Sequence, residues 1–220
     1  MKRALPLVVT STLIGLAACA SSPDEISYTA LGASDAVGIG AIPPTEGYVF
    51  RIQNELEEQV DDVPFVNLGL PGADVAAIEN ALDAFLVLGR EPDLVTLWTG
   101  PNDVIRGDDP EDFEGDLEDI LAQLRDETDA VIVMANVPEL TELPRFEEEP
   151  DPDVTEARVE AFNGAIERQA DEFNVSIVDL HEEGIEEDLV SDIDGFHPNN
   201  EGHRRIAEEF LEVILPQFGL

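Results

Sequence analysis

The sequence predicts a single three-layer α/β/α domain on a five-stranded parallel sheet, and three observations carry that prediction. Short apolar runs alternate with longer segments whose apolar residues recur at helical spacing, five runs in all. Two of the runs, Leu94–Trp98 and residues 130–135, are apolar almost throughout, as strands covered on both faces are. The chain shows no internal repeat and no change of composition that would mark a second domain.

Residues 26–31 form the first run, rich in β-formers. A helix is expected over 46–60, with Val49, Ile52, Leu56 and Val60 on one face. The second strand covers 63–68 and ends at Gly69, and a helix over 74–88 follows with Asp74 as its N-cap. After the third strand, Leu94–Trp98, the helix over 110–126 carries the stripe Phe113, Leu117, Ile120, Leu121 and Leu124. The fourth strand spans 130–135, the next helix 155–173 with Thr155 as cap, the fifth strand 175–180 and the closing helix 201–215. The acidic, proline-rich stretch 147–153 reads as a loop. The polar segment 181–196 reads as a lid-like loop or as a loop holding a short helix. Alternating strands and helices with right-handed crossovers place helices on both faces of the sheet.

The chain begins with a different kind of segment. Lys2 and Arg3 precede an apolar stretch, 4–15, too short for an ordinary spanning helix, which ends in Leu16-Ala-Ala-Cys19. This resembles the lipobox of bacterial-type lipoproteins, which implies a signal peptide over 1–18, a lipidated Cys19, a polar tether over 19–25 and a folded domain over 26–220, anchored to a membrane outside the cytoplasm. The alternative is an ordinary secretory signal. Cys19 is the only cysteine, so no internal disulfide forms. The composition is extremely acidic, with 50 Asp and Glu against 11 Lys and Arg, a net charge of −39. The only lysine is Lys2, so removal of the leader makes the charge more negative still. Nucleic acid is excluded as a partner, because phosphate contacts need basic residues. Such a surface resembles that of proteins from halophiles, and screening of its self-repulsion by salt is expected to stabilise the fold.

Four blocks carry chemistry. They are Ser34 in Leu31-Gly-Ala-Ser-Asp35, Gly69 in Asn67-Leu-Gly-Leu-Pro-Gly72, Asn102 in Gly100-Pro-Asn-Asp103, and Asp194 and His197 in Asp194-Gly-Phe-His-Pro198. With strand order 2-1-3-4-5, Ser34, Gly69 and Asn102 leave three adjacent strands at the carboxyl edge, where open α/β sheets bind ligands. His197 follows the fifth strand, three strands or roughly 14 Å away, a gap the polar segment before it is long enough to close. A serine hydroxyl is a nucleophile only when a base takes its proton. His197 can be that base, with Asp194 one turn away to fix its tautomer. The backbone N–H groups of Ser34 and Gly69 and the side-chain amide of Asn102 can stabilise an oxyanion, and Gly69 has no side chain to obstruct a substrate. Asn67 and Asp103 are expected to bond the turns beside them, and Trp98 to lie in the core. His203 is expected in packing or on the surface, His181 in a structural role, and Asn136, at the end of the fourth strand, is a weak candidate for facing substrate.

These blocks resemble the SGNH (GDSL-type) hydrolases, esterases and lipases with a flavodoxin-like α/β/α fold and sheet order 2-1-3-4-5. The resemblance covers the chain from about Ser27 to its end. It implies that Ser34 is the nucleophile, Asp194 and His197 its partners, and Ser34, Gly69 and Asn102 the oxyanion hole. The substrate it implies is a small ester, cleaved through an acyl-enzyme intermediate without a cofactor. The sequence departs from the family's Gly-Asp-Ser at one place, where Ala33 removes a carboxylate that would help order the turn. Carbohydrate deacetylation or thioester hydrolysis would use the same residues. A non-catalytic flavodoxin-like binding lipoprotein is a further alternative, although 32–38 lacks the Thr/Ser-rich loop of a flavin carrier. No H-E-x-x-H or similar metal motif is present, and no catalytic metal is expected.

Overall fold

The computed structural model describes residues 23–184 and 187–220, so the leader, Cys19 and the start of the tether lie outside the described residues. Five parallel strands, β1 (Tyr28–Gly32), β2 (Phe65–Asn67), β3 (Leu94–Trp98), β4 (Val131–Ala135) and β5 (Ser176–Val178), pair in the order β2-β1-β3-β4-β5. This is the expected order. The central strands β1 and β3 are buried at every residue, whereas the edge strands are short and only partly covered. Apolar side chains along β1 and β3 can therefore be satisfied only by helices on both faces.

One face is covered by α2 (Tyr48–Gln59) and α9 (Asn200–Phe218), around Tyr48, Ile52, Leu56, Phe210 and Ile214. The other is covered by α3 (Val75–Leu86), α5 (Pro110–Glu127) and α7 (Glu156–Phe173), around Ile78, Leu82, Leu117, Phe162 and Ile166. Asp74 and Thr155 cap α3 and α7 as expected, accepting from the N–H groups of Ala77 and Arg158. Among the described helices none is long and apolar enough to cross a membrane.

The differences from the sequence reading lie at element ends. The fifth strand stops at Val178 because Asp179 turns to cap α8 (Leu180–Glu183), accepting from Glu182 N–H. The segment after it thus contains a short helix. The stretch 147–153 is a loop only from Glu149 onward, because α6 (Pro144–Glu148) runs into it. Besides α6, two short helices at strand exits went unpredicted, α1 (Ser34–Val37) and α4 (Pro101–Arg106). They start two and three residues beyond a strand, where the sequence shows turn residues rather than periodicity.

Candidate active site

β1 delivers Ser34 to the first position of α1, where it is buried. The approach is tight: a Cβ on Gly32 would meet the Trp98 carbonyl at 3.0 Å and Ala36 Cβ at 3.1 Å. Ala33 leaves the turn without the carboxylate of the Gly-Asp-Ser pattern, and Asn67 orders it from the neighbouring strand instead. The Asn67 side chain donates to the Ala36 carbonyl at 2.6 Å and accepts from Gly69 N–H at 2.8 Å.

That second bond corrects the expectation for Gly69. Its N–H already has an acceptor, and a Cβ there would meet Asn67 Oδ1, Ala36 Cβ and Val37 Cγ2 at 2.9–3.0 Å, not an incoming substrate. Gly69 is small so that the exit of β2 can pack on α1. The residue that sequence reasoning missed is Gly72. Leu70 N–H donates to the Gly32 carbonyl and Ala73 N–H to the Leu70 carbonyl, which sets a turn beyond the end of β1. Gly72 sits in that turn at φ +74°, with nothing within 4 Å of where a Cβ would stand. Among the described residues its N–H has no acceptor. Arg106 grips its carbonyl at 2.6 Å, and the Asn102 side-chain amide donates to the next carbonyl, Ala73, at 2.8 Å. One amide hydrogen of Asn102 therefore anchors the turn and the other stays free. The Pro-Gly pair that reads as an ordinary turn was the available signal.

Asp103, beside Asn102, is buried and accepts from Val75 N–H at 2.9 Å, so it fastens α4 to the start of α3 rather than bonding only the turn beside it. Burial pushes its carboxyl up to about 6.

His197 arrives from the far side of the sheet. Its Nε2 lies 2.8 Å from Ser34 Oγ and its Nδ1 2.7 Å from Asp194 Oδ2. The other Asp194 oxygen accepts from the backbone N–H groups of Phe196 and His197, both at 3.0 Å. Burial works to raise the Asp194 carboxyl, but the His197 ring and these two N–H groups outweigh it and hold it below the usual carboxylate range. An ionised Asp194 requires the proton on Nδ1, which leaves Nε2 to accept from the Ser34 hydroxyl.

The loop bearing this pair is fixed along its length. Ser191 N–H donates to the His197 carbonyl, Asn199 N–H to Leu189, and Arg145 N–H to Gly195, while Phe196 packs edge-on against Phe146. Behind His197, a Cβ on Gly40 would overlap the Pro198 carbonyl at 2.1 Å. That close approach is held by His203, which is buried rather than on the surface. His203 accepts from Tyr48 N–H at Nδ1 and donates from Nε2 to the Ile39 carbonyl at 3.0 Å, and burial drives its pKa down to about 4. Asn200 completes the fastening, accepting from Ile42 N–H at 2.7 Å and donating to its carbonyl at 2.9 Å.

Asn136 does not face substrate. Its amide donates to Asp179 at 2.7 Å and accepts from His181 N–H at 3.0 Å, clipping the ends of β4 and β5 together. Trp98 is buried as expected, and it also forms part of a narrow, largely apolar cleft. Asp35, Pro101 and Phe196, the chain neighbours of Ser34, Asn102 and His197, line this cleft, with Trp98, Leu140 and Leu143 behind. Among the described residues no group of three or more His, Cys, Asp or Glu comes together to hold a metal ion. The assembly joins a buried hydroxyl, an imidazole oriented by a carboxylate, free N–H donors and an apolar cleft, which is the equipment of acyl transfer.

The model of a family described as GDSL-like Lipase/Acylhydrolase matches residues 27–205. Solved structures share the fold. The psychrotrophic esterase EstA from a Pseudoalteromonas species aligns over 90% of this chain and 100% of its own, at 20% identity and TM-score 0.70. The structure of TesA aligns over 87% and 99%, at 23% identity and TM-score 0.71. The acetyl xylan esterase AlAXEase aligns over 86% and 100%, at 19% identity and TM-score 0.69. No curated protein matches the sequence.

Proposed function

Because this chain belongs to the GDSL-like lipase/acylhydrolase family and is a serine ester hydrolase, we propose that Ser34 is its nucleophile, His197 its general base and acid, and Asp194 the group that orients the imidazole. The observation that carries this assignment is the continuous relay from Ser34 Oγ to His197 Nε2 at 2.8 Å and from Nδ1 to Asp194 at 2.7 Å. Ser34 Oγ attacks the ester carbonyl while its proton passes to His197 Nε2. The imidazolium then protonates the departing alcohol, leaving an acyl-Ser34. Water, deprotonated by the same nitrogen, releases the acid and restores the serine.

The negative oxygen of each tetrahedral intermediate is met by the Ser34 N–H, the free amide hydrogen of Asn102 and the Gly72 N–H, which takes the role first expected of Gly69. Ser34→Ala abolishes turnover of an aryl ester and labelling by a fluorophosphonate while the thermal transition persists. A Ser34→Ala protein that still turns over the ester at the wild-type rate would refute the assignment.

The cleft next to the site is narrow and largely apolar, which suits a small acyl group rather than a fatty chain. That favours a second reading, deacetylation of a carbohydrate, the class of activity named for the acetyl xylan esterase of similar fold. Rates across acetyl, butyryl and octanoyl esters and an acetylated polysaccharide separate the two.

The proposed setting is the outer side of a membrane, with the domain tethered by lipid on Cys19. The support is the leader 1–18 and the single cysteine at its end. Replacing Cys19 with Ala should release the protein from the membrane fraction, and unchanged membrane retention would count against lipidation. The excess of acid over base supports a halophilic setting, tested by whether the melting temperature rises from dilute to molar NaCl.

A further inference from the structure

Six aspartates converge on one pocket behind the oxyanion turns. Asp74 caps α3, Asp103 lies on α4, Asp108 and Asp109 lead into α5, and Asp112 and Asp116 stand one turn apart on α5, so they share a face. Together with Val75, Ala76 and Phe113 they line a pocket of about 230 Å³. The pocket abuts the catalytic equipment. Asp103 follows Asn102, and Asp74 pairs with Arg106, which also grips the Gly72 carbonyl at 2.6 Å.

Acidic residues are common on this surface, but Asp103 sets this group apart. It is 1% exposed, one of its oxygens accepts from Val75 N–H, and the other, Oδ2, has no hydrogen-bond partner among the described residues. A buried carboxylate oxygen without a donor is costly and calls for a positive partner. The neighbours worsen its position. Among the described residues Arg106 is the only cation paired with any of the six, and the carboxylates of Asp108, Asp112 and Asp116 accept no hydrogen bond. Burial, then the charges of Asp119, Asp112 and Asp74, push the Asp116 carboxyl up as well. Low-dielectric walls focus such a field, and one positive charge in the pocket relieves it.

We propose that this pocket binds one hydrated divalent cation, an ion of the Mg²⁺ kind bridged through its waters to Asp108, Asp112 and Asp116 and facing the free oxygen of Asp103. A hard cation suits an all-oxygen set of ligands. The hydrated form follows from the spacing, because no three of these carboxylates close on one point to make an inner shell. Mg²⁺ gives up water reluctantly and is commonly held by only one or two carboxylates. The pocket has room for the ion with about six waters of ~30 Å³ each. The bound ion ties the starts of α3 and α5 to α4, beside the turns that carry Gly72 and Asn102. The proposal is independent of the chemistry assigned to Ser34.

The test is thermal melting of the wild-type protein in MgCl₂, CaCl₂ or hexaamminecobalt(III) chloride, each against NaCl of equal ionic strength. The cobalt complex does not shed its ammines, so it reports binding through an intact shell. At about ten times the dissociation constant, Mg²⁺ and the cobalt complex should each raise the melting temperature by about 3–6 °C beyond the NaCl control. In Asp112→Asn/Asp116→Asn that increment should vanish, while the ion-free melting temperature rises because like charges have been removed. Asp103→Asn, whose amide oxygen can still accept from Val75 N–H, should shrink the increment. Asp171→Asn/Glu172→Gln, on the exposed end of α7, should keep it whole. No increment in wild type overturns the proposal. An increment that survives in Asp112→Asn/Asp116→Asn, or that is lost equally in Asp171→Asn/Glu172→Gln, also overturns it, since either marks diffuse screening of the whole acidic surface. A response to Ca²⁺ alone overturns it too, because that requires a direct ligand shell.

Discussion

Two regions meet at His197, and they are built on opposite terms. In the loop carrying Asp194 and His197, the carboxylate is met by a ring nitrogen and two backbone N–H groups, and its pKa falls. In the turn carrying Ser34 and Asp35, the serine and its neighbour have few internal partners, and the Asp35 carboxyl rises to about 6. The contrast teaches that the carboxylate orienting the base is fixed by donors from its own loop, while the turns on the nucleophile's side are fastened by the side chains of Asn67, Asn102 and Arg106 from neighbouring segments.

The largest effects break that contrast at its joint. Ser34→Ala should lower kcat by about four orders of magnitude or more, and Asp194→Asn, which forces the wrong imidazole tautomer, by about three to four. Stopped assays with p-nitrophenyl butyrate measure both, and an Asp194→Asn enzyme within tenfold of wild type would mean that the loop does not orient the ring. Next, Asn102→Ala should reduce kcat by about 10²- to 10³-fold with a smaller change in KM.

Smaller effects sharpen the contrast through stability. Asp35 has a folded pKa raised from 3.8 to about 6, so its charge opposes folding above pH 6, and this penalty fades as pH falls through the folded pKa toward the unfolded one. Asp35→Leu should therefore raise the melting temperature at pH 7.5, by about 2 kcal/mol of added stability, and give little of that gain at pH 4. His203 has the opposite sign. Its folded pKa is lowered from 6.5 to about 4, so its contribution is full above pH 6.5 and is lost as pH falls toward 4. The stability advantage of wild type over His203→Gln should narrow across that window, by about 3 kcal/mol at most, in denaturant titrations at pH 7.5, 5.5 and 4.

Much of this was legible in the amino-acid order. The long periodic helices and the continuous apolar strand Leu94–Trp98 appear where their patterns put them, because burial on both faces of a sheet leaves few alternatives. Ser34, Asn102, Asp194 and His197 were legible because each sits at a strand end or a turn whose residue types serve that chemistry. Gly69 and Gly72 were not separable, since both are glycines in one short turn and only the partner of each N–H tells them apart. Asn136 was misread for a similar reason: an amide at a strand end looks the same whether it meets a ligand or clips two strands. The surroundings of Asp35 could not be read either, since the walls beside it come from Pro101, Leu140 and Phe196, far apart along the chain.

The paired bonds between Ile42 and Asn200 have a temporal consequence. A chain made N-terminus first presents its serine 163 residues before its imidazole, and the stitch that seats the two against each other needs the beginning of α9. Hydrolysis therefore waits until the segment carrying His197 and Asn200 has been made and has folded against the loop after Ser34.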